Sequence, residues 1–127
     1  MAIDQFEVTE DPDVEAAGLA PAASLFRSLS DPTRLTILRH LALGEHRVVE
    51  LTGHLGLAQS TVSKHLACLR DCGLVDSRPV GRASVFSLTT REELLALLAA
   101  AERLLVRTGD AVDLCAVHGS AARGEPA

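Results

Sequence analysis

The residue pattern predicts a mainly α-helical chain with one small β-hairpin, folded as a winged helix-turn-helix and working as a dimer. Three observations predict it. Two short helical segments separated by a tight break occupy the stretch from Val48 to Cys72. Two short apolar runs then flank Val80, Gly81 and Arg82, the pattern of a hairpin with a basic tip. A last amphipathic stretch, from Thr90 to Gly109, has an apolar face (Leu94, Leu95, Leu97, Leu98, Leu104, Leu105) wider than a surface helix of so small a protein needs, and this points to a second copy covering it. With 127 residues the chain has room for one compact domain.

Each element has a local reason. Residues 1–15 are acidic with few apolar positions and read as a flexible arm. Leu25, Phe26 and Leu29 recur at helical spacing in the segment that follows, which Pro21 divides. In Ser30-Asp31-Pro32-Thr33-Arg34, Ser30 or Asp31 can cap a helix whose first turn holds Pro32, where a missing N–H costs nothing; that helix stops near Gly44. The next helix covers Val48 to Leu55 and ends at Gly56. Ala58 and Gln59 lie in the turn, Ser60 or Thr61 opens the second helix of the pair, and Gly73 stops it. Val62, Leu66 and Leu69 point inward, leaving Ser60, Thr61, Ser63, Lys64 and Arg70 outward. Thr89 or Thr90 caps the last helix. The domain thus spans residues 16–108, with a tail over 109–127.

Composition excludes several classes. Aromatic residues are 2% of the chain, too few for a stacking platform on single-stranded nucleic acid. No apolar run approaches the length of a membrane span, and the acidic start is not a secretory signal, so the expectation is a cytoplasmic protein without a membrane partner. The net charge of −5 hides a division: −6 over residues 1–33, +4 over 34–91 and −3 over 92–127. A basic middle between acidic ends suits DNA, because the local patch sets the field that DNA meets. No nucleophile–base motif, phosphate loop or zinc-protease motif is present, so neither an enzyme nor a small-molecule substrate is expected. Three cysteines, Cys68, Cys72 and Cys115, argue for metal, reactive or buried thiols rather than a disulfide framework.

The segments LFRSLSDPTRLTILRHL, STVSKHLACLRDCGLV and VGRASVFSL together resemble the ArsR/SmtB family of dimeric metal-responsive repressors, over about residues 20–108. That resemblance implies a homodimer on double-stranded, inverted-repeat operator DNA, released when an inducer binds. The arsenic-type Cys-x-Cys pair is absent: Val48 and Val49 stand near its place. The histidine ligands that zinc and nickel members carry on the last helix are absent too. What remains, Cys68 and Cys72 with a distal Cys115, is similar to the CmtR-type cadmium/lead sensors, in which two cysteines of the DNA-reading helix join a third from the C-terminal tail.

Residues four apart on a helix share one face, roughly 5–6 Å apart at Cβ, a spacing that suits two bonds to one soft ion better than a disulfide. Three thiolates select Cd(II) or Pb(II), with Zn(II) possible given a fourth ligand. His118 is the candidate for that fourth ligand and Asp113 a weaker one. His40, His46 and His54 read as surface or capping residues. The DNA-contacting candidates are Gln59, Ser60, Thr61, Ser63, Lys64 and His65 on the second helix of the pair, with Arg78 and Arg82 on the hairpin. Capping is the competing role for Ser60 and Thr61, and orienting the helix for His65. Arg34 and Arg39 read equally well as surface charges. A thiol-redox or reactive-sulfur sensor on the same fold is the alternative function.

Overall fold

A computed structural model describes residues 12–117. The chain runs through α1 (Pro12–Gly18), α2 (Ala20–Leu29), α3 (Pro32–Leu43), β1 (His46–Arg47), α4 (Val48–Leu55), α5 (Gln59–Asp71), β2 (Val75–Val80), β3 (Ala83–Leu88) and α6 (Arg91–Arg107). The expected winged helix-turn-helix is present, with α4 and α5 as the helix pair and β2–β3 as the wing. No described helix is long and apolar enough to cross a membrane.

Local chemistry sets the boundaries. Asp31, extended at φ −104° and ψ 127°, caps α3 by accepting the Arg34 amide at 3.0 Å, and Pro32 follows in the first turn. Ser30 takes no part in this cap, because its hydroxyl donates back to the Arg27 carbonyl at 2.7 Å. Gly56 ends α4 in the left-handed conformation. Gly73, at φ +79°, ends α5 in a Schellman arrangement. There the Gly73 amide donates to the Arg70 carbonyl at 2.8 Å and the Leu74 amide to the Leu69 carbonyl at 2.9 Å. This delivers Leu74 into the core beside Leu69 and starts β2.

The sheet has three antiparallel strands in the order β1-β3-β2, one more than the expected hairpin. His46 pairs with Phe86 and Arg47 with Val85, while Val80 pairs with Ala83 across a two-residue turn. Gly81 supplies the positive φ that this turn demands. Pro79 is tolerated because β2 is an edge strand. Two helix starts also differ from the sequence reading. α5 begins at Gln59 with Ala58 as its cap residue, and α1 begins inside the stretch expected to be an arm.

One core joins these elements. Ile37, Leu38 and Leu41 of α3 meet Leu51 of α4, Val62, Leu66 and Leu69 of α5, Val75 and Phe86 of the wing, and Leu94, Leu95 and Leu98 of α6. The apolar face of α6 is divided: Leu94, Leu95 and Leu98 enter the core, whereas Leu104 stays exposed. Leu19 and Phe26 of the N-terminal segment are exposed as well.

Candidate nucleic-acid interface and thiol site

The first turns of α5 present an open polar surface. Gln59, Ser60, Ser63 and Lys64 are exposed and Thr61 is half-buried. The Ala58 carbonyl receives the amides of Thr61 and Val62, so no side chain caps this helix. The capping role considered for Ser60 and Thr61 is therefore not the one they play. Among the described residues their hydroxyls have no protein partner, which leaves them free for an outside ligand. The positive end of the helix dipole lies at the same place and favours phosphate. Between this turn, the start of α4 and the wing lies an open groove of about 300 Å³, with Arg47, Gln59, Arg82 and Ser84 in its lining.

Two expected contacts are engaged within the protein. Arg78 forms an ion pair with Glu45, Nη2 to Oε1 at 2.6 Å, tying the wing to the loop after α3. His65 turns toward the start of α3: its Nδ1 lies 3.8 Å from Asp31 Oδ2 and 3.4 Å from Arg34 Nη1. Of its two proposed roles, orienting α5 is the one this geometry serves. Arg34 is not a free surface charge either, since its Nε donates to the Ser28 carbonyl at 2.7 Å and its Nη2 to the Arg27 carbonyl at 3.1 Å. The Arg34 amide, with His65 and the Arg34 guanidinium assisting, holds the Asp31 carboxyl below the ordinary aspartate range against a smaller opposing effect of burial.

The thiols lie at the other end of α5. Cys68 is in its last turns, and Cys72 is the residue at which the helix ends. Both sulfurs converge on one hydroxyl of α2: Ser28 Oγ lies 2.6 Å from Cys72 Sγ and 3.9 Å from Cys68 Sγ. Ser24 Oγ stands 3.7 Å from Cys72 Sγ. Ser28 is only 3% exposed and both cysteines are half-buried, so this is a partly buried polar contact between two helices. Paired soft donors on one small patch fit a thiophilic ion.

Cys115 is placed differently from the sequence expectation of a loose tail. It is 1% exposed and belongs to the core cluster. The cause is Glu102, a buried carboxylate of α6 whose Oε2 accepts the Leu114 amide at 2.9 Å and the Cys115 amide at 2.7 Å, folding the chain back on the helix. Within one chain, Cys115 does not join Cys68 and Cys72 in a compact ligand group. Asp113 is exposed, and His118 lies outside the described residues. Among the described residues, one group of three donors does meet: His40, His46 and His54. Burial, then the neighbouring imidazoles of His54 and His46, then Arg39 hold His40 below the ordinary histidine value.

The family model for "Bacterial regulatory protein, arsR family" matches residues 31–77, from the cap of α3 into the wing. An "ArsR-like Transcriptional Regulator" from Rhodococcus sp. RHA1 has the same fold at 32% identity and a TM-score of 0.58, over 73% of this chain and 84% of that one. The chain belongs to the ArsR family. Among curated ArsR-like relatives, a "Probable mercury resistance operon repressor" of Streptomyces lividans is 44% identical over 66 residues, 52% of this chain and 53% of its own length. The regulator CmtR of Mycobacterium tuberculosis is 48% identical over 66 residues, 52% and 56% of the two chains. The chain thus spans about half the length of these curated relatives. A homodimeric winged helix-turn-helix DNA-binding domain from Mycobacterium bovis, described as a possible ArsR-family regulator, matches at 29% identity and a TM-score of 0.63, covering 78% of this chain and 95% of that one. These relatives are named as regulators, in keeping with the expectation that the chain is not an enzyme.

Sequence reading of this ArsR-family chain missed Ser24 and Ser28 against the thiols, Glu102 under the tail, and Arg47 beside the groove. Arg47 had a usable signal, a base immediately before the first helix of the pair. The serines and Glu102 had none, because their partners lie 12 to 48 residues away.

Proposed function

We propose that this chain is a transcriptional repressor that binds double-stranded operator DNA as a homodimer. A thiophilic divalent metal, Cd(II) or Pb(II), releases it through Cys68, Cys72 and Cys115. The observation that carries the reading is the convergence of the Cys68 and Cys72 sulfurs on Ser28, at the far end of the helix whose first turns face outward. The mercury-resistance name of one relative and the homodimer of another support the metal and the assembly.

In this reading Gln59, Ser60, Thr61, Ser63 and Lys64 meet base edges and phosphates, and Arg82 meets the backbone from the wing turn. Arg78 reaches DNA only by exchanging Glu45 for phosphate. His65 steadies α5 against Asp31 and Arg34. The metal supplies a strong bond to thiolate and no reaction. Cys68 and Cys72 give up Ser28 as their neighbour, and Cys115, which Glu102 holds in the core of its own chain, is supplied by the partner subunit. The exposed apolar residues Leu19, Phe26 and Leu104 support a dimer surface close to the helices involved. Shifting α2 against the end of α5 tilts the DNA-reading helix. His118, Asp113 or water completes the shell, and Zn(II) binds only with that fourth ligand. Metal and DNA then weaken each other equally, with a coupling of about 1–3 kcal/mol.

The test is an anaerobic titration of the reduced protein with Cd(II) and then Pb(II), reading ultraviolet thiolate-to-metal charge transfer while a fluorescent operator reports anisotropy. Stoichiometric absorbance with loss of DNA is expected. Cys115→Ser keeps repression and blunts release; loss of DNA binding in that variant would make the tail structural and the mechanism wrong. DNA binding indifferent to metal but lost on mild oxidation would instead support the redox alternative.

A further inference from the structure

We propose that His40, His46 and His54 form a metal site separate from the thiols, one that takes a borderline divalent cation of the Zn(II), Ni(II) or Cu(II) class. The three imidazoles come from three elements: the last turn of α3, strand β1 and the last turn of α4. Gly44 ends α3, the pairing of His46 with Phe86 fixes β1 on the wing sheet, and α4 then returns so that its final turn lies against that of α3. The rings of His40 and His54 stack at 4.7 Å between centroids, while His46 stands edge-on to them at 6.1 and 5.6 Å. One nitrogen of each ring lies within 4.8 Å of the others. Three of the chain's five histidines therefore share one small patch.

Two features distinguish this patch from ring packing alone. His46 Nδ1 is 2.8 Å from the Gly44 carbonyl, which makes that nitrogen the donor and leaves Nε2 as a free lone pair with a fixed direction. Second, the group is half-buried on two sides and open on the third, since His40 and His46 are partly covered and His54 is exposed. Zn–N bonds of about 2.0–2.1 Å place tetrahedral ligand nitrogens about 3.3 Å apart. A rotamer change of the exposed His54 closes the present spacing, and water takes the fourth position. Three neutral imidazoles with no carboxylate or thiolate disfavour Mg(II) and Ca(II), which want oxygen, and compete poorly with thiolates for Pb(II). The two sites thus divide ions by softness. An ion held here would cross-link α3, α4 and the strand that joins the wing, bracing the base of the helix-turn-helix.

This site stands whether or not the thiols sense metal. An untagged Cys68→Ser, Cys72→Ser, Cys115→Ser chain is titrated with Co(II). One ion per chain is expected, with weak visible bands and no sulfur charge transfer in the near ultraviolet. Zn(II) should displace the Co(II) and raise the melting temperature. His54→Asn and His46→Asn should each weaken Co(II) binding by at least about tenfold, with an unchanged far-ultraviolet dichroism spectrum. If the triple variant folds poorly, reduced parent and His54→Asn chains preloaded with Cd(II) are compared for additional Zn(II) bound. No saturable uptake in the cysteine-free chain, or uptake and additional Zn(II) that His54→Asn retains, overturns the proposal.

Discussion

Asp31 joins two elements with one carboxylate. It caps α3 through the Arg34 amide and faces His65 across from α5. Losing such a cap costs about 0.5–2 kcal/mol. Asp31→Ala should therefore lower the unfolding free energy read from urea melts near pH 7 by an amount in that range. The folded-state carboxyl titrates below its ordinary value, so its stabilisation is present above the unfolded aspartate pKa and is lost as pH falls through the folded one. The gap between parent and variant should accordingly narrow in melts taken at successively lower pH below the ordinary aspartate range, and a gap that does not narrow would show that the cap works without its charge. A cap at Ser30 or Asp31 was legible from Ser30-Asp31-Pro32 alone because it needs only local sequence, while the choice of Asp31 came from the structure. The direction of His65 was not, since two residues of another helix decide it. The same holds for Cys115: its spacing suggested a mobile ligand, whereas a carboxylate 13 residues upstream buries it.

At the scale of elements, the stretches that ended on glycine were the ones read correctly. α4 runs from Val48 to Leu55 as expected, and Gly73 closes α5. A Cβ at Gly73 would meet nothing within 4 Å, so the cost of Gly73→Ala comes from backbone alone, about 1–2 kcal/mol for an L-residue held at φ +79°. Thermal melts should show that loss while the reduced thiols still react fully with Ellman's reagent on unfolding; a variant as stable as its parent would mean that the turn relaxes to another conformation. What sequence could not disclose was β1. Two residues have no periodicity to read, and their extended state exists through pairing with β3. The start of α5 was displaced for a related reason: Ser60 looked like a cap, but the Ala58 carbonyl already receives the first amides.

Over the whole molecule, charge is distributed by function rather than by sum. The net −5 opposes DNA at long range, so the proposed binding draws on the cations of the basic middle of the chain, around α5 and the wing. Operator affinity should therefore fall steeply with salt, each neutralised phosphate contributing about −0.9 to the logarithmic slope. Lys64→Ala in both subunits should flatten that slope by about 2 and weaken binding to unrelated DNA to a similar degree. A Lys64→Ala slope equal to that of the parent would remove this side chain from the interface. The mainly α architecture with its wing was legible in outline, because α3, α4 and α5 each end on a glycine and Gly81 turns the wing. The one sign of the proposed second copy in the sequence was a surplus of apolar surface.

The grip of Glu102 on the tail has a consequence for sensitivity. A thiol that must leave a buried berth before it can reach a partner's ion is available for only a fraction of the time. The apparent dissociation constant exceeds the intrinsic one by the inverse of that fraction. Glu102→Gln keeps an acceptor but removes the charge that strengthens the two amide hydrogen bonds. The Cd(II) concentration that half-releases the operator should then fall, by about tenfold for each 1.4 kcal/mol of anchoring lost. An unchanged midpoint would mean that Cys115 responds without leaving. In the proposed mechanism, a carboxylate of α6 rather than a ligand thus sets the threshold at which metal releases DNA.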